Sequence, residues 1–91
     1  MYDLETRTGE IAGHKVELDF DTRRVVINKA VLRVDGTEVD GGKVFYGDKQ
    51  LRTTLDDGTQ VEVMLHSGMA GELTRAQLRQ PDGSWHDLVK P

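Results

Sequence analysis

Apolar positions in this chain recur with a period of two wherever they are dense. In Lys15-Val16-Glu17-Leu18-Asp19-Phe20 they alternate strictly with charged residues, which puts Val16, Leu18 and Phe20 on one face of a half-buried strand. Gln60-Val61-Glu62-Val63-Met64-Leu65 repeats the pattern, with Val61, Val63 and Leu65 inward and Glu62 outward. Neither segment places its apolar residues on one stripe of a helix.

Turn signals of one kind separate such segments: Asp35-Gly36, Asp57-Gly58 and Asp82-Gly83. Glycine supplies the positive φ of a tight hairpin and aspartate braces it through its side chain, so each pair predicts a hairpin. The flanking strands are residues 31–34 and 37–39, 51–55 and 59–65, and 74–79 and 84–89, with Pro81 placed to open the third turn. A connection at Asp21-Thr22-Arg23 should return the chain into a strand over 24–27. Asn28-Lys29 then shifts the apolar phase, as a bulge or a further tight turn would, so residues 24–34 form one bent strand or two short ones. Gly41-Gly42 and Gly47-Asp48 mark loops on either side of Lys43-Val44-Phe45-Tyr46.

The predicted architecture is all-β: a small antiparallel β-sandwich or partly open barrel of seven to nine short strands joined by hairpins. It forms a single domain over 1–91, in which residues 1–12 serve as an edge strand or a flexible arm. Residues 69–80 admit two readings. Met69, Leu73 and Ala76 fall at helical spacing among good helix formers, while Thr74, Ala76 and Leu78 alternate with Arg75, Gln77 and Arg79 as in a strand.

With 91 residues, 36% apolar and only 5% aromatic, the interior must be aliphatic. A chain of this length buries roughly 60–65% of its unfolded surface, a thin margin that self-association would widen. Cysteine is absent, which removes disulfides, thiolate chemistry and cysteine-based zinc sites. Net charge is −4, with 9 acids and 7 bases in residues 1–45 and 7 and 5 in residues 46–91. No basic stripe stands out, so no nucleic-acid partner is expected. The first residues carry neither the basic nor the apolar region of a signal peptide, and no apolar run approaches about 20 residues, so a cytoplasmic protein without membrane contact is expected.

Candidate chemistry is sparse. His14, His66 and His86 match no metal-ligand spacing, and His66 should point away from the core, so neither metal nor cofactor is expected. Asp19, Asp21 and Asp56-Asp57 make no calcium loop and define no catalytic pair. His66-Ser67 is not a nucleophile elbow, because adjacent strand residues face opposite sides. The glycines of Ser67-Gly68-Met69-Ala70-Gly71 form no phosphate cradle, but Met69 there could repack against a partner. Trp85 is either a plug at the core, beside Tyr46, Phe45 or Phe20, or an interface anchor. Arg75, Gln77 and Arg79 could form a small basic patch. The candidate binding residues are therefore His66, Met69, Trp85 and Tyr46, with no catalytic set.

His14-Lys15-Val16-Glu17, Val34-Asp35-Gly36, Val44-Phe45-Tyr46-Gly47 and Ser67-Gly68-Met69-Ala70 resemble, in order and spacing, the β-sandwich unit of the Fas apoptotic inhibitory molecule family, over about residues 13–88. The resemblance implies an antiparallel sandwich without enzymatic activity that acts through protein contacts. This chain has one such unit where the family has two, and no apoptotic role is carried over. The expected function is a non-catalytic binding or protein-interaction module. The alternatives are a small ligand-binding protein or enzyme using the 66–72 loop, and a homo-oligomeric structural subunit whose edge strands pair.

Overall fold

Strict alternation produces strands here because one face of each is sealed while the other stays wet. The computed structural model describes residues 4–21, 28–44, 47–68 and 72–91. Among them are eight strands: β1 Leu4–Ile11, β2 His14–Asp21, β3 Asn28–Val34, β4 Thr37–Val44, β5 Gly47–Thr54, β6 Gln60–Ser67, β7 Leu73–Arg79 and β8 Trp85–Asp87. They form two four-stranded antiparallel meanders, β1-β2-β3-β4 and β5-β6-β7-β8, and the described residues contain no helix.

The two sheets bury one aliphatic cluster between them. Val16, Leu18, Phe20, Ala30 and Leu32 come from the first sheet and Leu51, Val61, Val63, Leu65, Ala76 and Leu78 from the second, each at most 1% exposed. Burial of this kind, at roughly 25 cal/mol per Å² of apolar surface, is the main term holding the sheets face to face.

All three Asp-Gly pairs are hairpin turns. Asp35-Gly36 is a two-residue loop with φ of 51° and 84°, both positive as a type I′ turn requires. The other two share a three-residue design: Gly58 N–H donates to Leu55 O at 2.9 Å and Gly83 N–H to Gln80 O at 2.9 Å, while Asp57 and Asp82 accept from the backbone N–H of Thr59 and Ser84. A fourth hairpin, Ala12-Gly13, joins β1 to β2 without an Asp-Gly signature.

Residues 73–79 are a strand, which overturns the helical alternative for 69–80. A register shift between His66 and Ser67 explains the ambiguity: Ser67 pairs with Leu73 and His66 with Arg75, leaving Thr74 as an extra, exposed residue. The bulge sets inward Leu73 and Ala76 three apart, mimicking helical spacing. Thr74, predicted inward, is displaced outward by it. Gly41-Gly42 is not a loop but lies within β4, opposite Val31 and Ala30, and Asn28-Lys29 opens β3 with no bulge or turn. The bulge in that pair sits instead between Leu32 and Arg33. The predicted connection at 22–23, the strand at 24–27, Phe45, Tyr46 and Met69 lie outside the described residues.

Both seams between the sheets are stitched. On one side Arg52 N–H donates to Asp40 Oδ2 at 2.9 Å, linking β5 to β4. On the other, Thr8 and Val89 exchange backbone hydrogen bonds of 2.7 and 3.0 Å, so the C-terminal segment leaves β8, seats Leu88 in the core at 3% exposure and crosses to β1. Gly9 makes room for it, since a Cβ there would stand 2.6 Å from Leu88 Cδ2. Strand β1, at the edge of its sheet, points Arg7 and Glu5 inward with Leu18 and Phe20. Arg7 pairs with Glu5 at 2.6 Å and donates to Leu73 O at 3.2 Å across the seam, and inward charge of this kind discourages edge pairing.

Candidate functional site

The outer face of the second sheet follows from its register. Among its outward residues are Asp48, Gln50 and Arg52 on β5, Glu62, Met64 and His66 on β6, Arg75, Gln77 and Arg79 on β7, and Trp85 and Asp87 on β8. Three arginines and three carboxylates make this face balanced in charge. Arg52 stands opposite Glu62, and Arg79 lies 3.6 Å from Glu62 and opposite Trp85. Gln50 donates to Glu62 at 3.1 Å and Gln77 to Asp87 at 3.0 Å. These cross-strand bonds order a polar surface around Met64 and the indole.

Trp85 is 37% exposed on this face, the outward alternative of the two weighed for it. Phe20 is sealed in the core and is not its neighbour. His66 is on the same face, as its alternation with Val63 and Leu65 predicts, and its Nδ1 lies 2.6 Å from Asp48 Oδ1, directly across the strand pair. His66 and Trp85 are nevertheless two strands and two outward rows apart, so they form no single cluster. Met69 and Tyr46, the other candidates, lie outside the described residues. Arg75 and Arg79 do share a face with Gln77, but Glu62 and Asp87 interrupt any basic patch.

Ser67 faces the opposite way from His66. It is 1% exposed, and its Oγ has no hydrogen-bond partner among the described residues. The pair therefore cannot act as nucleophile and base. Beyond it Gly68 N–H donates to Glu72 O at 2.9 Å, and the Glu72 carboxylate lies against the Gly68 α-carbon.

Two clusters escaped the sequence reading. Asp19, on the outward face of β2, is only 8% exposed because Thr6 Oγ1 donates to its Oδ1 at 2.7 Å and Arg33 pairs with its Oδ2. All four described hairpin turns lie at one end of the sandwich, and there His14 bridges the sheets: Nδ1 is 2.7 Å from Asp35 Oδ2 and Nε2 is 2.9 Å from Asp57 Oδ2. Asp35 Oδ1 accepts from Lys15 N–H at 3.0 Å. The bonds to Asp35 first and Asp57 second raise the His14 pKa above its usual 6.5. The same contact lowers Asp35, aided by Lys15 N–H, and lowers Asp57 further still, aided by Thr59. The Asp-Gly pairs were visible as turns, but separations of 21 and 43 residues hid their meeting at one imidazole.

Among the described residues no group of three or more histidines and carboxylates is arranged to hold a metal. Among the described residues no helix is long and apolar enough to cross a membrane. No family model, no curated protein and no solved structure matches this chain.

Proposed function

We propose that this chain is a non-catalytic protein-interaction module whose contact surface is the outer face of the second sheet around Trp85. The observation that carries this reading is the placement of the single tryptophan: outward, over a third exposed, on a three-residue edge strand beside Arg79. Tryptophan and arginine are the residues most enriched where interface energy concentrates. Leaving an indole in water sacrifices apolar burial that a partner would recover. The balanced charge of the face suits a mixed protein surface better than a polyphosphate backbone.

The test is capture of partners from a native lysate on the tagged chain and on Trp85→Ala, followed by fluorescence titration of each recovered protein. A stoichiometric partner lost on Trp85→Ala, which shifts the Trp85 emission to shorter wavelength when added back, supports the module. A partner retained by folded Trp85→Ala overturns the placement of the surface.

A second reading, a small-molecule site at residues 66–72, has one observation in its favour, the buried Ser67 hydroxyl, which has no partner among the described residues. Buried hydroxyls are normally satisfied. A metabolite that raises the melting temperature of the protein but not of Ser67→Ala would favour it. No such metabolite in a broad screen would count against it.

A further inference from the structure

We propose that His14 is a pH-operated clamp between the two sheets: as an imidazolium it ties the Asp35 turn of one sheet to the Asp57 turn of the other, and loss of its proton releases the tie between sheets. The argument begins with hydrogen-bond inventory. Both ring nitrogens face carboxylate oxygens, at 2.7 and 2.9 Å, and an ionised carboxylate only accepts. Two such bonds therefore require two N–H donors, which only the protonated ring has. A neutral ring keeps one N–H and turns a nitrogen lone pair toward the other carboxylate, so one bond is replaced by repulsion.

The bond that yields is the one to Asp57. Asp35 follows Val34, which pairs with Val16 in the ladder between β2 and β3, and its second oxygen holds Lys15 N–H, so the His14–Asp35 contact is fixed within one sheet. Asp57 belongs to the other sheet, and no ladder hydrogen bond positions its turn against His14. Beneath the clamp is an open cleft of about 470 Å³ lined by Val34, Val39, Thr53 and Leu55, with Asp56 on its rim. The charged groups facing the ring are Asp35 and Asp57; Asp56 also lines the cleft, and Lys15 is adjacent in sequence but on the outer face opposite Glu10. Once the ring is neutral, the Asp35 and Asp57 carboxylates remain without the cation between them, and their repulsion favours separation of the turns.

The direction with pH follows. A histidine whose pKa is raised by folding adds stability that is fully present below 6.5 and is lost as pH rises through the folded value. Asp35 and Asp57, lowered by folding, add stability that is lost only in acid, as pH falls through their folded values. The clamp is shut below pH 6.5 and opens as pH rises through the raised folded value of His14.

The test is an NMR pH titration of the full chain, following the His14 ring and the backbone amides of both turns. The expected result is one shared step above pH 6.5, seen at the ring, at Gly36 and at residues 57–59. In Asp57→Asn the His14 step should move to lower pH and the step at residues 57–59 should be lost, while that at Gly36 persists. In His14→Gln no step should remain at either turn. Amides at 57–59 that do not follow His14 in the wild type, or a step at those amides that survives His14→Gln, would overturn the clamp. Either substitution lies on an exposed turn or strand end, and the wild-type titration alone already decides the first point.

Discussion

His14 and His66 stand at opposite ends of the sandwich and make similar contacts, a ring nitrogen within 2.9 Å of an aspartate oxygen, that of Asp57 for His14 and of Asp48 for His66. They differ in what the contact joins. Asp48 and His66 are already cross-strand neighbours in the β5–β6 ladder, so their pairing adds to a link that backbone hydrogen bonds have made. Asp57 and His14 come from different sheets, and their pairing spans a gap that only side chains cross. The same histidine–aspartate chemistry is redundant at one end and a tie between layers at the other, because its effect depends on whether the partners were otherwise free to separate.

If ties between layers matter more than ties within them, the largest loss should come from the strap that crosses to β1. Leu88→Ala removes a side chain only 3% exposed and should cost about 2–4 kcal/mol, read as a lower urea midpoint at unchanged m-value. Gly9→Ala pushes a Cβ to within 2.6 Å of Leu88 Cδ2 and should cost about 1–3 kcal/mol. In a Leu88→Ala background that cost should largely vanish, since the obstructing methyl is gone; additive costs would mean that Gly9 serves some other purpose.

The two histidines provide the direct comparison. His14→Gln should reduce the fall in melting temperature as pH rises above 6.5, whereas His66→Gln, which removes a contact between strands already laddered, should cost less than about 1 kcal/mol. Equal behaviour of the two variants would erase the distinction drawn between the ends. The smallest effect is expected within the hairpin end itself. Ala12 sits at φ 50°, a conformation that asparagine tolerates better than alanine, so Ala12→Asn should raise stability by about 0.5–1 kcal/mol without altering the pH response.

Much of the fold was legible in the residues. Alternation over 15–20 and 60–65 gave β2 and β6 with the correct inward faces, and the Asp-Gly pairs located three of the four fully described hairpin turns. Local pattern failed where an extra residue broke the period. At Thr74 a bulge imitated helical spacing, and at Gly41-Gly42 two loop-forming residues were held in a strand by their ladder to Ala30 and Val31. Ala12-Gly13 was missed because alanine carries no turn signal.

The candidate surface was half visible. Outward His66 followed from phase alone, but the side taken by Trp85 depended on how β8 registers against Arg79, which the sequence left undetermined.

By itself the sequence determined what is local: which segments are strands, which of their faces are apolar, and where most of the chain reverses, since each follows from the period of two and from turn chemistry over a few residues. Only the tertiary structure decided what is brought together across the sheets or across strands. The burial of Asp19 under Thr6 and Arg33, the seating of Leu88 against Gly9, and the convergence of Asp35 and Asp57 on one imidazole all depend on register and on the stacking of two sheets. Alternation leaves that stacking open, because it fixes which face is buried but not which residues of the other sheet will meet it.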